Sequence, residues 1–397
     1  MFKIYDLNMK EIPFPDGVMP LEIFVGSISK ERVTEAVDGR SGVVDYGFNY
    51  TDRPVSLFLR IKAKDKIDFR LLRNEVFATF DVGNSFYVAE SDVPSRVLKV
   101  VVDESYIPDR LTEEYADFDI NCRTLDSVFW ESIYTTLELH DSGYYATAEK
   151  YGLVDNIDDE KVQYRFEPEK LTVELSSSDF EQGTILSGNG NNSSNPNEIR
   201  SKGYFSTFPG SNYTFEDKIN GDNINYWWIF EYDSDGQYIG FSNTPLNGNG
   251  RITFTARGSR VRIRSVSHTS LSPSDVGTQT QPTLTGPASL STFTVYNAGN
   301  VTIEPESMML DIIIYRVTTS GGFTIRNKTT GDEFVFNGEI NNLSLILRGM
   351  NVLVSSVYNR FRDTNRRFIS LAPGDNEFEI TGGTFDEATF EFKYFYK

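Results

Sequence analysis

The sequence predicts a mainly β protein of several domains, on three observations. Aromatic residues are 14% of 397 positions, with 30 Phe and 21 Tyr, and such rings favour pleated, half-buried strands over helices. Short alternating runs recur along the chain with Gly, Pro, Asn and Asp turns between them, the spacing of sandwiches and jelly rolls. Two polar stretches, Ser176 to Lys202 and Ser267 to Ser289, bracket a middle segment and give three domains, 1–167, 168–290 and 291–397.

The first domain mixes strands with one clear helix and reads as an α+β belt. In Asp65 to Phe80, DKIDFRLLRNEVFATF, the residues Phe69, Leu72, Val76 and Phe80 form one apolar stripe opposite Arg70, Arg73 and Asn74. Strands PVSLFLRIK (54–62) and RVLKVVV (96–102) supply the surface on which that helix packs. In the middle segment, Ser176 to Lys202 reads as loop, and strands return from Gly203 to Val266. The second polar stretch reads as a linker. Residues 291–397 form another strand series, with Phe390, Phe392, Tyr394 and Tyr396 on one face at period two. Pro209-Gly210 and Pro373-Gly374 each precede a strand, the chemistry of a type II turn.

Charge and composition narrow the function. A formal net charge of −19 argues against a nucleic-acid partner, whose phosphates demand Lys and Arg. The single cysteine, Cys122, excludes an internal disulfide. The opening residues MFKIYDLNMKEIPFPDG carry no continuous apolar run, so neither a secretory signal nor a membrane span is expected.

The sharpest binding candidate is NYWWIFEY, 225–232. Alternation places Tyr226, Trp228, Phe230 and Tyr232 on one face, read as core, and Asn225, Trp227, Ile229 and Glu231 on the other. An exposed Trp227 would stack on a sugar ring while Asn225 and Glu231 bond its hydroxyls; the alternative is a second packed layer. RVRIR, 260–264, sends Val261 and Ile263 inward and Arg260, Arg262 and Arg264 outward, toward a teichoic-acid phosphate, a charged sugar or, on an edge strand, solvent alone. Asp233-Ser234-Asp235-Gly236 lacks the full calcium-loop spacing and reads as a hairpin turn, and DGRSG (38–42) reads as a loop.

No catalytic residue, cofactor or metal site is expected. The only histidines are His140 and His268, and neither a nucleophile elbow nor a zinc spacing is present. A cell-wall glycoside hydrolase, or another carbohydrate-active enzyme, stays open, because 57 acidic residues supply many candidate carboxylate pairs.

Two stretches resemble a known family. Asp38 to Leu111, from DGRSGVVDYGFNYTDRP through the helix to RVLKVVVDESYIPDRL, is similar to the N-terminal domain of siphophage distal tail proteins. Val295 to Lys397 is similar to that family's C-terminal galectin-like sandwich. The resemblance implies a hexameric ring in the tail tip or baseplate of a virion, assembled in the host cytoplasm. It also implies contacts with the tail tube protein, a tail-associated lysin hub and receptor-binding proteins. Shorter relatives pass almost directly from a segment like YGLVDNIDDEKVQYRF (151–166) into the last sandwich. The interposed residues resemble the carbohydrate-binding modules of longer members, which implies a host cell-wall polysaccharide as partner, with no nucleic acid and no membrane.

Overall fold

The computed structural model describes the chain except residues 40, 82–83, 142–162, 169, 219–224, 244–249, 268–269 and 288–289. Most of the segment 151–166 quoted above therefore lies outside the described residues.

The N-terminal part is one antiparallel sheet and a helix. Strands run in the order Glu11–Ile12, Phe2–Tyr5, Ser85–Glu90, Arg96–Val102, Tyr115–Thr124, Pro54–Lys62 and Val18–Val25. The helix Lys66–Thr79 starts where Asp65 accepts hydrogen bonds from the backbone N–H groups of Ile67 and Asp68. Phe69, Leu72, Val76 and Phe80 are buried against the sheet residues Leu57, Leu59, Val88 and Val100, as the stripe predicts. Cys122 belongs to the same core, and burial pushes its thiol up to about 12, far from nucleophilic thiolate character.

A β-hairpin, Lys30–Ala36 paired with Val43–Tyr50, leaves this sheet and pairs with no other strand among the described residues. We call it the arm. Gly39 and Gly42, on either side of its tip, both hold left-handed φ angles.

The inserted segment folds as two facing sheets. Lys170–Glu174, Pro282–Pro287, Asn212–Asp217 and Arg251–Thr255 form one; Phe180–Gln182, Ile199–Ser201, Arg260–Ser267, Asn225–Tyr232 and Tyr238–Asn243 form the other. Two sequence expectations fail here. Residues 282–287, read as linker, are an internal strand between two neighbours. Ser176 to Lys202, read as loop, contributes four short strands, two of them the hairpin Thr184–Ile185 with Asn192–Ser193. Propensity misses both because their pairing is supplied by distant strands rather than by local sequence.

The C-terminal part is a second sandwich. A six-stranded sheet with Leu310–Thr319, Ile340–Arg348 and Glu387–Phe392 faces a four-stranded one with Leu290–Asn297, Gly374–Thr381, Phe323–Asn327 and Glu333–Phe336. Phe390, Phe392, Tyr394 and Tyr396 are all buried, as their period-two spacing predicts. Gly210 and Gly374 both take φ near 84°, the left-handed position that a type II turn requires. One strand crosses between domains: Phe395–Tyr396 pairs with Trp130–Ser132, and Arg96 stacks its guanidinium 3.7 Å from the Tyr396 ring.

Candidate oligomerisation and saccharide-binding surfaces

The strand Asn225–Tyr232 alternates as expected, but both of its faces are packed: Phe230 and Tyr232 are buried on the side read as core, and Trp227, Ile229 and Glu231 on the side read as open. Trp227 is fully buried between Phe180 and Phe215, and its indole N–H donates to Asp217 Oδ2 at 2.9 Å. Asp217 is itself buried, and it also accepts from the Gln281 N–H at 2.8 Å and from the Thr280 hydroxyl. Glu231 is likewise fully buried; Arg257 closes on it with Nη2 at 2.6 Å, Nε at 3.0 Å and the backbone N–H at 2.6 Å. A platform of exposed Trp227 with Glu231 is therefore corrected: both residues belong to the interior. Asn225 opens the strand, and its side chain lies outside the described residues.

The other face, read as core, is a second and smaller apolar layer. Phe230 and Tyr232 pack there with Ile185, and the covering hairpin is held by two tyrosines: Tyr232 Oη donates to the Gly190 carbonyl at 2.8 Å, Tyr238 Oη to that of Ser187 at 2.7 Å. Farther along, Trp228 lies between Phe241, with ring centroids 4.5 Å apart, and the Arg264 guanidinium at 4.6 Å. Both faces of the Trp228 indole are thus engaged, and a sugar ring finds no open platform on it.

The three arginines sit on one face, as predicted, with Val261 and Ile263 buried on the opposite one. They are not on an edge. Arg260–Ser267 is an interior strand between Ile199–Ser201 and Asn225–Tyr232, and its arginines act as clamps. Arg262 is buried and donates to Asn192 Oδ1 at 2.6 Å and to the Ser201 carbonyl. Arg264 donates to the Ile185 carbonyl at 2.5 Å and pairs with Glu198 at 3.4 Å; burial holds its guanidinium below the ordinary arginine value. Arg260 is partly exposed, with its guanidinium 5.8 Å from the Tyr204 ring. The Asp233–Gly236 segment is the hairpin turn expected, with Asp233 Oδ1 accepting from the N–H groups of Asp235 and Gln237.

The arm is the region that sequence reasoning passed over. Val33, Val43, Tyr46, Phe48 and Tyr50 are exposed on a ribbon with two free strand edges. Within it, Arg32 meets Asp45 at 2.5 Å and Lys30 Nζ lies 4.1 Å from the Phe48 ring; at its base, Tyr50 packs edge-on against Phe129. A second apolar patch sits on the outward side of the helix, where Ile67 is 71% and Leu71 57% exposed, with Phe77 at 41%. Two unlike apolar surfaces on one domain are what a head-to-tail contact between copies requires.

Among the described residues no group of His, Cys, Asp and Glu could hold a metal ion, and no helix is long and apolar enough to cross a membrane. Residues 6–122, which hold most of the sheet, the helix and the arm, match the phage tail protein RIFT-related domain family. The chain also aligns with solved phage proteins over nearly its whole length. SPP1 Dit, described as a paradigm of the hub adsorption apparatus in phages infecting Gram-positive bacteria, shares 8% identity over 99% of each chain, with a TM-score of 0.45. A chain of the phage p2 baseplate, in its activated conformation with Sr, shares 11% identity over 99% of this chain and 97% of that one, with a TM-score of 0.32. No curated protein matches the chain. The matched stretch holds both apolar patches, the arm and the outward helix face.

Proposed function

We propose that this chain is a siphovirus distal tail protein, a structural and non-catalytic hub of the tail tip. Its N-terminal domain closes a six-membered ring by laying the arm of one copy against the helix face of the next. The observation that carries this reading is the arm itself: an exposed aromatic ribbon with unpaired edges, inside the stretch that matches a phage tail domain. A single copy leaves that surface in water, and a closed ring covers it in every copy.

In this reading the ring sits between the tail tube protein above and the tail-associated and receptor-binding proteins below. The inserted sandwich adds adhesion to a cell-wall polysaccharide of the host. The test has two parts. Native mass measurement of the full chain, alone and with its tube partner, should give a ring; a strict monomer under both conditions would count against the hub. Deletion of residues 168–290 should spare the ring and weaken adsorption of assembled virions, and unchanged adsorption would remove the adhesion role while leaving the hub intact.

A further inference from the structure

Where the inserted sandwich meets the C-terminal one, a cleft of about 380 Å³ opens between two unlike walls. One wall is the outer face of the four-stranded sheet. Its register sets Thr172, Thr285, Thr214 and Thr253 abreast across all four strands. Their neighbours Tyr213, Phe215, Phe254 and Leu284 point the other way into the core, so alternation turns the threonines outward. The hydroxyls of Thr172 and Thr285 lie 2.9 Å apart, and those of Thr214 and Thr253 3.1 Å. These paired bonds orient the side chains and leave each oxygen further capacity to bond.

The opposite wall comes from the C-terminal sandwich, through Thr384, Phe385 and Asp386. A hydrogen bond between the Ser211 and Thr384 hydroxyls joins the two sandwiches beside the cleft. Glu167 and Lys170 complete the lining, and Asp386 is paired with Arg316 at 3.1 Å. Clefts between domains, of roughly 300 Å³ and upward, are the usual seats of small ligands.

The lining selects by chemistry. Hydroxyls donate and accept alike, and they match a ligand whose own groups do both. An apolar ligand meets Phe385 almost wholly covered, with only proline rings beside it. A phosphate or acidic sugar meets Glu167 and Asp386, the latter shared with Arg316, against one lysine, on a chain of net charge −19. We infer that this cleft binds a neutral saccharide, a short portion of a cell-wall polymer, and that the inserted and C-terminal sandwiches build the site jointly. The inference rests on the adhesion reading above and moves the contact from the aromatic strand to the hydroxyl-lined wall.

The experiment uses the full chain against two probes: an array of short neutral hexose and N-acetylhexosamine oligosaccharides, and a Gram-positive cell-wall polysaccharide fraction. Thr214→Val with Thr285→Val keeps the branched shape and removes two hydroxyls. Binding should weaken about tenfold, the loss of two modest hydrogen bonds, while Trp228→Ala leaves it within about twofold. Should the double variant lose its thermal transition, Asn212→Ala on the same exposed wall replaces it. A chain that binds the wall fraction with undiminished affinity in these variants overturns the cleft and leaves adhesion standing, as does binding confined to acidic polymers. A chain that binds neither probe overturns both.

Discussion

The arm and the inserted sandwich are both rich in aromatic side chains, and they use them in opposite ways. In the sandwich Trp227, Trp228, Phe230 and Tyr232 each have a packing partner, on two faces, and the buried carboxylates Asp217 and Glu231 beside them are bonded. In the arm, Tyr46, Phe48 and Val43 are exposed on a two-stranded ribbon that pairs with no further strand among the described residues. Aromatic content therefore marks a binding surface only where no second layer exists to absorb it. A two-stranded ribbon of this kind is marginal in isolation, and a neighbouring copy would supply the missing layer.

The largest effect is expected in the arm. Replacing residues 31–49 with a short Gly-Ser turn should abolish the ring outright, while the thermal transition of the remaining domains stays within a few degrees; a ring that survives would show that contact between copies runs elsewhere. Next comes Trp227→Ala. It empties a fully buried site and leaves Asp217 short of one donor, so the inserted module should lose about 3 to 5 kcal/mol in denaturant titration. Trp228→Ala, on the thinner layer, should cost distinctly less, and equal losses would contradict the two-face description.

A third test concerns the ion pair of Glu231 with Arg257, which is asymmetric in burial. Glu231 has no exposed side chain, whereas half of Arg257 reaches solvent. Arg257→Ala strands a buried carboxylate and should cost about 3 kcal/mol; Glu231→Gln leaves a cation that water can reach and should cost less. The smallest effect is a pH dependence. Burial pushes the Asp332 carboxyl up, but bonds from the Ser370 hydroxyl and N–H and from Thr330 outweigh it and hold Asp332 below the usual carboxylate range. A depressed folded value means this contribution is fully present above the unfolded carboxylate range and is lost as pH falls through the folded one. Asp332→Asn should flatten the acid limb of a thermal stability profile, and an unchanged limb would assign it to other carboxylates.

Much of the fold was legible because local and global signals agree. Asp65 caps the helix and its stripe has the right period, so the element and its buried face both follow from sixteen residues of sequence. The strand faces of the module were harder, since NYWWIFEY carries large apolar residues on both sides and alternation cannot say which side is inner. The missing information was in a neighbour. Val261 and Ile263 were correctly read as inward, and register sets them opposite Glu231 and Ile229. Cross-strand partners share a face, so the inward side must also hold Trp227. The clamping role of Arg262 and Arg264 was not legible at all: Asn192, Ser201 and Ile185 lie in a stretch with the composition of a loop, ordered here by bonds to a strand some seventy residues away. The Thr214–Thr285 wall was equally hidden, because the strand holding Thr285 carries two prolines and a glycine and shows no strand propensity.

The strand Phe395–Tyr396 has a consequence for the order in which the molecule is made. Its partner Trp130–Ser132 leaves the ribosome early, together with the first sheet, yet must wait for the inserted module and both layers of the last sandwich to be synthesised. Until then Arg96 lacks the tyrosine ring that covers it. The joint between the first and last domains is thus a late-closing clasp, and a truncated product would carry an open seam beside a correctly folded belt.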